Sequence, residues 1–310
     1  MKKNKRLNTS KVPVLFIIFN RPNLTERVFV EIKKYKPKRL FIAADGPRVG
    51  NPGDIKKCNL VRGVVDKIDW PCKVEKLFRK KNLGCKEATS SAIDWFFKNV
   101  TEGIVLEDDC LPNTSFFKFC EKMLVKYRNQ DKIFHIGGNN FLPKQRQRSD
   151  AYYFSKYPNT WGWASWKRAW DHYDYNLKNW PKLAKTRRIN KHWNTFWEKT
   201  YWTMIFDFTY RRKSNAWDYQ WLYTIWSNNA KSITPGVNLV ENIGLNDSGT
   251  HINTNTKVLR VKAQNIDPTP KLLSKSFSNL ADYYASRHVY RISPTMIIAQ
   301  WIYYSFKTIK

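Results

Sequence analysis

Three consecutive acids, Glu107-Asp108-Asp109, follow directly on the apolar run Ile104-Val105-Leu106. Carboxylates at the end of a buried strand are costly unless something compensates their charge. A hard divalent cation is one such compensation, because it takes a few carboxylate oxygens and fills its shell with phosphate and water. Mg2+ or Mn2+ bridging a diphosphate acts as a Lewis acid for a leaving group. The alternative is that the acids serve the N-terminus of a helix starting near Pro112, where negative charge is also favoured. With 55 Lys and Arg against 25 Asp and Glu, three adjacent acids are unusual enough to favour the metal-assisted chemistry.

Other residues are candidates for the same pocket. Asp45 closes the apolar stretch Leu40–Ala44 and is either a ligand-facing carboxylate or the first residue of an Asp-Gly turn. Asp218, after Trp217, could take a proton from a hydroxyl nucleophile, or it could pair with Arg211 or Arg212. His251 lies four residues after Asp247 in a polar loop, where it could touch phosphate, complete a metal shell or be solvated. Arg21 and Arg48 flank the strand ends and are candidate phosphate contacts. Trp161, Trp163 and Trp166 surround Gly162; stacking on a sugar is one role, and core packing is expected for at least two of them. The five cysteines show no CxxC or Cys/His ligand spacing, so no zinc site is expected and the thiols suit a reducing cytoplasm.

The elements that must position these groups alternate. Val12–Phe19, Leu40–Ala44, Lys73–Phe78 and Ile104–Leu106 read as strands, and Leu24–Tyr35, Ile55–Ile68, Lys86–Phe97 and Ser115–Tyr127 as helices. That alternation predicts βαβ units and a parallel sheet, with ligand beyond the carboxyl ends of the strands. Ile133–Gly137 reads as a further strand, 144–150 as a polar linker, 180–223 as helical, and 237–251 as a strand and loop. Residues 1–11 are a basic tail. The apolar run after it holds Pro13 and ends in Asn20-Arg21-Pro22, which suits a core strand better than a signal peptide.

In order, Val12-Pro13-Val14, Asn20-Arg21-Pro22, Ala44-Asp45-Gly46, Glu107-Asp108-Asp109-Cys110, Gly137-Gly138-Asn139-Asn140, Trp161-Gly162-Trp163, Trp217-Asp218 and Gly244 to His251 resemble GT-A glycosyltransferases. The likeness is to the N-acetylglucosaminyltransferase I group and related bacterial surface-polysaccharide (family 2-like) enzymes of capsule and lipopolysaccharide synthesis. It implies an α/β GT-A, Rossmann-like nucleotide-diphospho-sugar fold with a mixed, mostly parallel sheet flanked by helices. Residues 12–130 would be the nucleotide-sugar-binding half, 131–260 the acceptor-binding and catalytic half, and 261–310 a basic helical extension. The resemblance also assigns roles: Asp109 as the metal ligand with Asp108 in support, and Glu107 and Asp108 at the ribose or metal-bound water. Asp45 would read a uracil base, Asp218 would be the general base, and His251 would lie at the diphosphate.

The expected activity is transfer of a hexosyl or N-acetylhexosaminyl group from a UDP-sugar, with Mn2+ or Mg2+, to a hydroxyl of a glycan or lipid-linked glycan. Inversion is part of the same resemblance. The net charge of +30 would suit an anionic inner membrane face, and the apolar, aromatic segment 293–310 is either a membrane-surface helix or a docked terminal helix. A basic nucleic-acid-binding protein is a rival, although the cations are spread along the chain and no recognition motif is present, so specific nucleic-acid binding is not expected. A non-catalytic, membrane-associated protein of the same fold is another.

Overall fold

The computed structural model describes residues 11–211, 213–245 and 257–299. Its first part follows the apolar runs of the sequence: β1 (Val14–Ile18), α1 (Pro22–Tyr35), β2 (Arg39–Ala44), α2 (Pro52–Arg62), β3 (Lys73–Phe78), α3 (Gly84–Asn99) and β4 (Glu102–Glu107). Proline at the first turn starts α1, where a missing N–H costs nothing, and Lys36 ends it in the left-handed conformation just before Pro37. Leu24, Val28, Phe29 and Ile32 form its buried face.

Past β4 come the short β5 (Cys110–Pro112), α4 (Thr114–Tyr127), β6 (Ile133–Gly137), β7 (Ala151–Ser155), β8 (Trp163–Trp166) and α5 (Lys167–Trp170). The expected single helical stretch over 180–223 is instead four helices: α6 (Trp180–Leu183), α7 (Arg187–Asn190), α8 (Phe196–Tyr210) and α9 (Asp218–Ser227). β9 (Lys231–Pro235), β10 (Val240–Asn242), β11 (Lys271–Leu272) and α10 (Lys275–Tyr284) follow.

Nine strands form one sheet in the order β11-β7-β9-β6-β8-β4-β1-β2-β3. Pairing is parallel from β4 through β3, between β6 and β9, and between β11 and β7; β8 is antiparallel to both of its neighbours, and β7 to β9. The architecture is therefore mixed α/β, with a large, mostly parallel sheet flanked by helices. Residues of both 12–130 and 131–260 contribute strands to it.

The two faces of the sheet are buried separately. Val14, Phe16 and Ile18 of β1 face one core with α1 and α4, while Leu15 faces the other with α3 and the Trp-rich helices. β8 does the same with large side chains: Ala164 and Trp166 join the first core, and Trp163 the second. Trp163 and Trp166 are thus core residues at 0% and 1% exposure, not walls of an open cleft. Trp161 is only partly buried and meets Phe141 edge-on. The C-terminal stretch docks through Ile292 and Ile297 into the second core; residues 300–310 lie outside the described residues.

His135 of β6 is enclosed among these aromatics, stacked on Trp163 and accepting the Trp221 indole N–H at Nδ1 (3.1 Å). Its Nε2 then carries the proton toward the Asn159 carbonyl at 3.0 Å. Burial pushes its pKa down to about 3. The folded state thus refuses a proton that the unfolded chain accepts below its ordinary value near 6.5, so this residue's contribution is full above that pH and is lost as pH falls toward 3. We expect His135→Gln to be less stable than wild type at neutral pH. In urea titrations the gap should then narrow by up to about 1.4 kcal/mol per pH unit on acidification below about pH 6.5. A gap independent of pH would show that His135 is not held neutral.

Candidate active site

The strand order β4-β1-β2-β3 places a reversal of strand order between β1 and β4, the crevice where open α/β sheets bind ligands. Two loops leave the sheet there. Phe19-Asn20-Arg21 follows β1, and Asp108-Asp109 follow Glu107, the last residue of β4. Glu107 sits beside Ile17 in register, so the two loops are forced together by the parallel pairing itself.

Arg21 closes this junction. Its guanidinium reaches Asp108 at 2.8 Å and Asp109 at 2.9 Å, one nitrogen to each carboxylate. Asp108 is buried, and its other oxygen accepts the Phe19 backbone N–H at 3.1 Å. Burial works against charge on Arg21, but Asp108 and Asp109 outweigh it and its pKa rises. Glu107 and Asp108 move the other way from ordinary carboxylates: burial first, then neighbouring acids, hold their pKa values up, with Arg21 opposing. The sequence points to a metal as a compensating charge and to Arg21 as a phosphate contact; among the described residues Arg21 itself pairs with both carboxylates. The helix-capping alternative fails, because Asn113 caps α4 by accepting the Phe116 N–H at 3.0 Å and β5 intervenes.

β5 also explains how the far loop arrives. It pairs antiparallel with β10, Asn242 opposite Cys110, and the Ile243 N–H continues the contact to the Asp109 carbonyl at 2.8 Å. That brings Gly244 over the ion pair: a Cβ there would stand 2.7 Å from Asp109 Oδ2, 3.0 Å from its Cβ and 3.0 Å from the Arg21 guanidinium. A side chain here would have to displace the Asp109 carboxylate from its place in the ion pair. Asp247 and His251, the other candidates from this part of the sequence, lie outside the described residues.

Asp45, at the end of β2, is buried and organises the turn before α3. It accepts from the Gly46 N–H, the Asn82 amide, and the Leu83 and Gly84 N–H groups at 2.9 to 3.2 Å. These donors occupy about the four lone-pair sites that a carboxylate offers. Direct use as a base reader would require one of these bonds to yield. Arg48 is held bidentate by Asp54 at 2.6 and 2.9 Å and lies over the Phe19 ring. Asp54 also accepts from Asn20, and its pKa drops to about 2, with Arg48 the main cause. Arg48 therefore stands at the rim of the crevice, tied to α2.

Asp218 opens α9, behind the buried Trp217, which stacks on Trp163 at 5.8 Å and whose carbonyl accepts from Tyr173. Gln220, oriented so that its amide donates to the Ala216 and Trp217 carbonyls, accepts from Lys86 at 2.9 Å and ties this turn to α3. The Asp218 carboxylate contributes to the raised pKa of Glu107 and, after burial and Glu107, to that of Cys85, which stands at about 12. Cys85, at the start of α3, thus joins the acids and Asp218 in one electrostatic neighbourhood. Its position was not legible from spacing, since it is a single cysteine after a turn. A cleft of about 360 Å³ lies beside it, lined by Leu83, Lys86, Tyr175 and Asn215 among others.

Among the described residues no group of three or more His, Cys, Asp or Glu side chains is arranged to hold a metal ion. The donor set still suits a cation that shares its shell with phosphate, which needs only one or two carboxylates from protein. Asp109, with its side chain 16% exposed against 3% for Asp108, is the carboxylate of the ion pair that solvent reaches.

No family model matches the chain, and no curated protein matches it. Among solved structures it is similar to the mannosyltransferase PcManGT from Pyrobaculum calidifontis, solved in complex with GDP-Man and Mn2+. That match has 13% identity and a TM-score of 0.35, over 50% of this chain and 44% of that one. It is also similar to HddC from Yersinia pseudotuberculosis, at 9% identity and a TM-score of 0.31, over 51% of this chain and 77% of the other. The chain thus spans less than half the length of the mannosyltransferase.

Removing the Arg21 charge leaves Asp108 buried without its ion-pair partner. Arg21→Met is expected to cost about 2–3 kcal/mol, below the 3–5 kcal/mol of a fully buried pair because the Arg21 side chain is 39% exposed. Adding Asp108→Asn should restore part of that loss in a double-mutant cycle read by urea unfolding. Additive effects would mean that Arg21 is not the counterion.

Proposed function

We propose that this protein is a metal-dependent glycosyltransferase that moves a sugar from a nucleoside diphosphate sugar, specifically a UDP-sugar, to a hydroxyl of a glycan or lipid-linked glycan. The observation that carries the reading is the convergence of Asp109, Arg21 and Gly244 at the β1–β4 crevice, with the Asp218 carboxylate in the electrostatic neighbourhood of the same acids. A crevice at this point of an α/β sheet suits a nucleotide, and a carboxylate with an adjoining guanidinium suits a diphosphate with its cation.

In this reading Asp109 would hold Mn2+ or Mg2+, and the ion would supply Lewis-acid stabilisation to the departing diphosphate. Glu107 and Asp108 shape the field behind it, and His251 would contact the diphosphate. Arg21 exchanges one carboxylate for a phosphate oxygen, which keeps its planar fork paired throughout. Asp218 removes the proton of the acceptor hydroxyl as the sugar carbon is attacked, and this single displacement would invert the configuration. Asp45 acts at the base end of the nucleotide through the Asn82–Gly84 turn it holds, and Arg48 stands at the rim. Sites of this kind discriminate sugars by which buried polar groups a wrong hydroxyl leaves unpaired.

A thermal-shift panel of nucleoside diphosphates and their sugars, with and without Mn2+, tests this. UDP with Mn2+ should raise the melting temperature, and Asp109→Asn should abolish the Mn2+-dependent part. Asp218→Asn should leave that shift in place and lower kcat by at least about a hundredfold, the usual contribution of a positioned base. If no nucleoside diphosphate stabilises the protein under either condition, the transferase reading is wrong.

A further inference from the structure

The helix α8 carries aromatic side chains outward as well as inward, its outward arc sharing them with Lys199, Thr200 and Thr203. Glu198, Tyr201, Trp202, Ile205, Phe206 and Thr209 are its buried residues. The opposite arc carries Phe196 at 70% exposure, Trp197 at 38% and Tyr210 at 41%, with Thr200, Thr203 and Met204 half-buried between them. A surface helix of a water-facing protein normally places charge on such an arc. Here the only acid on it is Asp207, and its carboxylate turns inward to accept the buried Trp180 indole N–H at 2.7 Å. Phe196 and Trp197 stand edge to face, ring centres 5.3 Å apart, at the free end of the helix.

Cations frame the arc at both ends. Lys191 and Lys199 are exposed at the N-terminal end, and at the other end Lys178, Tyr210 and Arg211 line one open cleft. Between Asp174 and Asp207 the sole acid is Glu198, which is buried and accepts from Lys156, Tyr157 and the Asn194 N–H. No exposed carboxylate in that stretch offsets the lysines. An aromatic-tipped apolar arc with basic flanks is complementary to one kind of surface: a bilayer that carries anionic lipid, where rings enter the headgroup–acyl boundary and lysines meet the phosphates. A single-strand nucleic-acid platform would instead present ring faces side by side, whereas these two rings are 77° apart.

We propose that the outward arc of α8 docks on the surface of an anionic membrane, with Phe196 and Trp197 inserted and Lys191 and Lys199 against lipid phosphate. Seven residues separate the end of α8 at Tyr210 from Asp218. The site opened by α9 would then draw its acceptor from that bilayer, as the hydroxyl of a lipid-linked glycan. This last step rests on the transferase reading, while the docking does not.

Co-sedimentation of the full chain with phosphatidylglycerol-containing vesicles, and with phosphatidylcholine vesicles alone, tests the docking. Wild type should bind the anionic vesicles, and Phe196→Ser with Trp197→Ser should weaken binding at least about tenfold. Both side chains are exposed, so the melting temperature and the UDP–Mn2+ shift should stay unchanged, which separates failure here from failure of the transferase reading. Trp301→Ser, in the terminal aromatic segment, should retain vesicle binding. The proposal is overturned if wild type ignores anionic vesicles or if the double variant binds them as well as wild type, the mark of bulk charge alone. It is equally overturned if the paired substitution abolishes duplex DNA binding and leaves vesicle binding intact.

Discussion

The described site depends on one electrostatic constraint: two adjacent carboxylates at the end of β4 share a single guanidinium from the loop after β1. The acids emerge where the sheet excludes water, so their charge must be met locally or given up to protons. Arg21 meets it with a fork that spans both carboxylates, a geometry that a lysine ammonium lacks. Because β1 and β4 are paired in register, the counterion arrives with the sheet rather than by a separate folding event. Gly244 then approaches the pair from the other side, carried there by the long-range antiparallel pairing of β5 and β10.

The second half of the molecule solves a different problem, that of holding Asp218 at the edge of the same field. It does so with aromatic packing. Trp163 projects from β8 into a cluster with Trp170, Trp217 and Trp221, and His135 stays neutral among them. Large rings fill space with few rotatable bonds, so the backbone just before Asp218 is fixed at little entropic cost. Trp217 is the hinge of the arrangement: its ring is in the core while the next residue begins a helix at the site.

Legibility in the sequence followed the same division. Strands β1, β2, β3 and β4 were readable as runs bounded by Asn-Arg-Pro, Asp-Gly-Pro and Asn-Leu-Gly, and the crevice followed from their alternation with helices. Strands β7 and β8 were not, because Tyr152, Tyr153, Trp163 and Trp166 are buried on both faces and carry no alternation that separates strand from aromatic loop. The 180–223 stretch looked uniformly helical by composition, yet Pro181, Asn190, Asn194 and Asn215 punctuate it into short pieces. Of the site residues, the acids were visible from their own neighbourhood. The Arg21 pairing and the Asp45 cage were invisible, since their partners lie 88 and 37 to 39 residues away.

That invisible pairing bears on how a diphosphate would enter. A crevice floored by bare carboxylates would repel it, and one floored by a cation alone would hold it too firmly in the ground state to favour the departing group. With Arg21 already paired to Asp108 and Asp109, part of the acidic charge of the crevice is met before anything binds. The Arg21 side chain is 39% exposed, so it can turn toward an incoming phosphate while the buried Asp108 keeps the Phe19 N–H. On the transferase reading, Asp109 would take the donor's divalent cation and Arg21 would take a phosphate oxygen. Gly244 approaches both partners of the pair, so a shift of either Arg21 or Asp109 toward a ligand is felt at that residue.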